Sequence, residues 1–176
     1  MSIKKILEKI FEIIYKKPNS FSADYKILKT KINNNKKKIF FKIFKIKFCR
    51  IFTDTLYNVT YIKNQKILKK ISIQLNHKGF YLDDKYNEVL KKGTTKLKRK
   101  IKGPILSLIQ GASGHNYFHF LFDIIPKILI VKEKFNLKYF NYFYLPEIRY
   151  KFQNQILKSI GINKKKNPKF QKNKTY

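Results

Sequence analysis

Between Ser2 and Lys16, Ile3, Ile6, Leu7, Ile10, Phe11 and Ile14 recur every three or four residues, with lysines and Glu8 elsewhere, until Pro18 stops the pattern. The spacing predicts an amphipathic helix. Its apolar face has two destinations, the body of the domain or an anionic membrane surface to which the flanking lysines add attraction. Packing against the domain is the expectation, because lysine is abundant along the whole chain. Residues 20–38, with the run Asn33, Asn34 and Asn35, read as a polar connection. From Lys38 to Phe48 the chain is rich in Ile and Phe with intermittent lysines and ends quickly, which fits a partly buried strand. Tyr57–Ile62 and Lys66–Ile73 are two short β-like runs around Asn64 and Gln65, the pattern of a hairpin. Residues 76–102 mix Gly, Asp and Lys with short apolar pieces, and the basic stretch from Lys91 reads as a solvated loop.

The second half is more regular. Gly103 and Pro104 open an apolar run, Ile105–Gln110, that reads as a buried strand. A turn, Gly111-Ala112-Ser113-Gly114, leads into a helical pattern from Asn116 to about Phe135. Tyr139–Leu145 reads as a further strand closed by Pro146, and Tyr150–Ile160 as a helix ended by Gly161, with Phe152, Ile156 and Ile160 on one face. No apolar periodicity follows Ile162, so the basic segment 163–176 is expected to be disordered. Strand, glycine turn and helix together predict an α/β fold, in which ligands bind at the carboxyl ends of strands. The turn itself has neither the Lys-Ser/Thr of a P-loop nor dinucleotide-binding glycine spacing.

The long helix carries apolar side chains at most positions between Tyr117 and Val131, enough to cover most of its circumference, so it is expected to be buried nearly all round. At about 100° per residue, Asn116, His119, Asp123, Lys127 and Lys134 share a wedge of roughly 80°. A carboxylate cannot be buried unpaired without a cost of several kcal/mol, so this stripe faces solvent or lines a cleft. The plain reading is an i,i+4 ion pair of Asp123 with Lys127 and His119 as a bystander. A metal site at His115, His119 and Asp123 is disfavoured, since His115 stands at the turn and no further ligand cluster accompanies it. Pro126 cannot donate to the carbonyl of Phe122, which predicts a kink.

Composition changes this picture little. The chain has 176 residues, 43% hydrophobic and 16% aromatic, sufficient for one core. The net charge is +31, yet arginine occurs only at positions 50, 99 and 149. The excess of Lys, Ile, Asn, Phe and Tyr over alanine is what AT-rich codons produce, and specific nucleic-acid recognition would favour arginine. No specific nucleic-acid partner is therefore expected. Cys49 is the single cysteine, so there is no disulfide framework. No apolar run approaches the roughly 18–20 residues of a membrane span. A cytoplasmic location is expected, with weak peripheral association at the inner membrane face the one membrane contact considered.

The segment Gly114-His115-Asn116-Tyr117-Phe118-His119-Phe120-Leu121-Phe122-Asp123-Ile124-Ile125-Pro126-Lys127-Ile128 resembles the signature of glycosyltransferase family 61: Asn, two aromatics, His, Trp, Leu, any residue, an acid, any residue, Leu, Pro, Arg. Tyr144-Leu145-Pro146 and the stretch from Phe152 to Ile162 resemble the family's next strand and helix. Phe120 replaces the usual Trp and Lys127 the usual Arg. The resemblance implies an incomplete GT-B-like α/β architecture, one Rossmann-like half preceded by a β-hairpin region and an amino-terminal amphipathic helix. The corresponding division is 1–37 helix and linker, 38–162 glycosyltransferase-like domain, and 163–176 tail. It implies transfer of a sugar from a nucleotide-sugar donor to a glycan acceptor, by inversion, with no cofactor and no essential metal, in a role such as surface polysaccharide assembly. Asp123 or His119 is the implied base, and Gly111, Gly114, His115, Asn116, Tyr117 and Lys127 the implied substrate-binding residues. The donor-side half is expected to come from a separately encoded chain or to be missing. The alternative is a non-catalytic remnant or a glycan-binding module of a split enzyme.

Overall fold

The computed structural model describes residues 2–34, 37–54, 57–110 and 116–162. The fold is mixed α/β. It divides into two compact units, 1–29 with 42–101 and 30–41 with 102–176. The expected tail, 163–176, lies outside the described residues.

In the first unit, helix α1 (Ile3–Tyr15) has the predicted limits. The unit also contains β1 (Ser20–Ser22), β4 (Arg50–Thr53), β5 (Asn58–Lys63), β6 (Lys66–Leu68), β7 (Ile73–Gln74) and α2 (Glu88–Lys92). They form a mixed sheet in the order β1-β6-β5-β4, with β7 also on β5. The predicted hairpin is its centre, with Ile62 opposite Ile67 and Lys63 opposite Lys66. Asn64 and Gln65 have φ of 49° and 58°, the left-handed pair that a two-residue loop needs to match strand twist. The second arm is broken by a 3₁₀ turn at Lys69–Ile71, where the Ser72 hydroxyl accepts from the Tyr61 N–H and fills the gap in the ladder. Ile62, Ile67 and Val89 are buried together with Phe21, Phe52 and Leu90 against them. Burial also pushes the Cys49 thiol up to about 11, which leaves it almost wholly protonated and a poor nucleophile.

Residues 20–38 are not a polar connection. They contain β1 and β2 (Lys26–Asn34), and β2 pairs with β3 (Lys37–Lys45). Along β2, Leu28, Thr30 and Ile32 are covered while Ile27, Lys29 and Lys31 are exposed. That is a period of two, hidden because lysine fills the outer positions and threonine stands in the middle of the inner face.

The second unit is a βαβα arrangement. Strand β8 (Ile105–Ser107) pairs in parallel with β9 (Tyr142–Tyr144), Leu106 opposite Phe143. Parallel strands need a crossover, and the helical segment between them supplies it. Gly103 has φ of 98°, and a Cβ there would lie 2.5 Å from Asn141 Oδ1, so glycine is required where the two strands begin. Strand β9 is shorter than expected, because Leu137–Tyr139 closes into a 3₁₀ turn capped by Asn136. Leu106, Leu108, Phe143 and Leu145 of the strand region and Phe120, Ile124, Ile128 and Leu157 of the helices are all buried.

Helix α5 (Lys151–Ser159) ends before Gly161, whose φ is 90°. Its buried line runs through Gln153 and Leu157, with Phe152, Ile156 and Ile160 half-buried beside it. Gln153 Oε1 accepts from the main-chain N–H of Arg149 at 2.8 Å and of Tyr150 at 2.9 Å. Gln153→Leu keeps the bulk but leaves those two donors without that acceptor, and should lower stability by about 1–3 kcal/mol in a denaturant titration. An unchanged midpoint would show that water serves both groups equally well.

Candidate active site

The crossover helix is assembled from three pieces: α3 (Tyr117–His119), a wide π-turn (Phe120–Ile124) and α4 (Ile125–Lys132). The expected kink takes the form of the π-turn. Pro126 withholds the N–H that would bond the Phe122 carbonyl, and a wider turn just before it relieves the mismatch. Asn116 caps the start, its Oδ1 accepting from the Phe118 N–H at 2.8 Å.

The helix is not buried all round. Phe120, Ile124, Ile128 and Val131 are buried, whereas Tyr117, Phe118, Phe122 and Leu129 are exposed. Among the described residues, the side of the helix that carries these four rings and chains stays largely open to solvent. Phe118 and Phe122, one turn apart, contact each other with ring centroids at 4.6 Å. Tyr117 leans on Phe152 at 4.7 Å.

The polar stripe lies between these faces. Asp123 does not pair with Lys127. Its i,i+4 partner is His119, with Nδ1 2.8 Å from Oδ2. Both side chains are partly exposed. Lys127 Nζ instead donates to Gln110 Oε1, at the carboxyl end of the β8 segment. Burial pulls the Lys127 ammonium below the usual lysine range, and the charge of Asp123 acts in the opposite sense. The lysine is thus a partly buried side chain tied to the strand end. Gly111, Gly114 and His115 lie outside the described residues. Of the predicted site residues, the structure brings His119, Asp123 and Lys127 onto one face beside Gln110, and it gives Asn116 a capping role.

No family model, curated protein or solved structure matches the chain. The family resemblance therefore rests on the motif residues themselves.

An imidazole whose Nδ1–H donates to a carboxylate has its Nε2 lone pair available, and the carboxylate stabilises the imidazolium formed when that lone pair takes a proton. Such a pair can activate a hydroxyl. Sequence reading did not find Gln110 or the Phe118–Phe122 pair. In the sequence Gln110 is only the last polar residue of an apolar run, and helical spacing gives the two phenylalanines to a core that does not enclose them.

Proposed function

We propose that this chain is the acceptor-side part of a glycosyltransferase, moving a sugar from a nucleotide-sugar donor to a glycan hydroxyl. The observation that carries the reading is the 2.8 Å His119–Asp123 pair, on residues that match the family 61 motif, next to the partly buried Lys127, which stands where that motif has Arg. The acceptor hydroxyl attacks the anomeric carbon from the face opposite the departing nucleoside diphosphate, and the carbon inverts. His119 Nε2 receives the hydroxyl proton, and Asp123 holds the ring and balances its charge. Lys127 contributes positive charge close to the reacting groups. The exposed rings of Phe118 and Phe122 offer an apolar platform for the C–H face of an acceptor sugar.

The platform also supports the second reading, a glycan-binding module, since binding needs no chemistry. Saturation-transfer NMR on the chain alone should show contact with acceptor-type oligosaccharides, and Phe118→Ala with Phe122→Ala should remove it. Transfer to no saccharide, or signals that persist in the double variant, would refute the platform. Release of nucleoside diphosphate when a sugar nucleotide and acceptor are added separates the enzyme from the binding module.

A further inference from the structure

Helix α1 is expected from its sequence to pack its apolar face on the domain, and it does not. None of its residues is buried, and Ile3, Ile6, Leu7, Ile10, Ile13 and Ile14 are exposed, Ile3 and Ile13 at 77% and 78%. At about 100° per residue these six occupy an arc of roughly 120°. The orientation is held in place. The Tyr15 hydroxyl accepts from the Lys98 N–H at 3.0 Å, its carbonyl accepts from Arg50, and the Arg50 guanidinium lies over its ring. Lys5, Glu8, Lys9 and Glu12 face a recess shared with Lys91 and Lys92 of α2. Both carboxylates of the helix are thereby turned away from the aliphatic stripe. Lys4 and Lys9 fall at about 40–60° beyond its two borders on the same wheel, and Lys16 and Lys17 follow its end.

We propose that α1 is a membrane-docking helix that seats this stripe in an anionic lipid surface. A continuous apolar stripe rimmed by lysine is the pattern of a helix lying in the headgroup region. Thirteen residues span about 20 Å, too short to cross a bilayer, and no helix among the described residues is long and apolar enough to do so. A second copy of the chain is a poor occupant, because two bodies of net charge +31 repel each other. Anionic lipid is complementary to that charge and supplies the apolar phase that the stripe lacks. This inference is independent of the glycosyltransferase reading.

The test uses the full chain and vesicles of phosphatidylcholine, with and without about one third phosphatidylglycerol, at about 0.15 M and about 0.5 M salt. Wild type should sediment with the anionic vesicles at both salt concentrations, since apolar insertion survives screening. Ile6→Glu with Ile10→Glu should weaken binding roughly hundredfold at the higher salt. The chain has no tryptophan, so Ile10→Trp reports depth directly, and its emission should shift to the blue only with anionic vesicles. Three results would overturn the proposal: no vesicle binding, binding unaffected by the double substitution, or unshifted tryptophan emission. A dimer in sedimentation equilibrium that the double substitution disperses would also overturn it, by giving the stripe to a second copy.

Discussion

Asp123→Asn is expected to slow sugar transfer by about 10²- to 10⁴-fold while moving stability by less than about 0.5 kcal/mol. The substitution nearly preserves shape, and the side chain is only partly buried, so the fold has little reason to respond. The chemistry does. A carboxylate only accepts a hydrogen bond, and it fixes the proton of neutral His119 on Nδ1. An amide can donate as well, so the ring can turn its lone pair inward and present Nε2–H to the acceptor hydroxyl. An amide also gives no charge to balance the imidazolium. His119→Ala should cost a similar factor, and the double variant little more than either single one, because the two groups act as a unit. Added imidazole should restore part of the His119→Ala rate. The measurement is nucleoside diphosphate release with donor, acceptor and a donor-binding half present. If His119→Ala keeps most of its turnover, the base is Asp123 itself. If Asp123→Asn turns over normally and folds normally, neither role belongs to Asp123.

The pairing of these two residues was legible as spacing, since positions four apart on a helix meet. Their choice of partner was not. A regular wheel treats Asp123, Lys127 and His119 as equivalent neighbours, but the π-turn Phe120–Ile124 changes the phase between the first helical piece and the second, and Gln110 draws Lys127 to the strand end. Elements defined by strong local chemistry are legible in the sequence. The Asn64–Gln65 loop, the β8 strand and the limits of α1 and α5 each follow from turn residues, glycine stops or unbroken periodicity. Strand β2 is not legible, because lysine-rich composition disguises its alternation. What no periodicity can state is how much partner surface exists: α1 and the crossover helix both keep apolar side chains exposed among the described residues.

Phe120→Ala is expected to destabilise the second unit by about 3–5 kcal/mol, enough to unfold much of it near physiological temperature. Phe120 has no solvent exposure, and its ring meets Phe152 of α5 edge-on with centroids 5.9 Å apart. It also begins the π-turn, where its N–H donates to the Asn116 carbonyl at 3.0 Å, so packing and the irregular backbone depend on the same residue. Phe122, two residues on and 61% exposed, supplies the contrast. Phe122→Ala should leave the unfolding midpoint within about 0.5 kcal/mol of wild type. If Phe122→Ala were as destabilising as Phe120→Ala in the same denaturant titration, its ring would belong to a packed core and could not serve as an open platform. If Phe120→Ala were the harmless one, the crossover helix would not be seated on β8 and β9 by this residue, and the position of His119 beside it would lose its physical support.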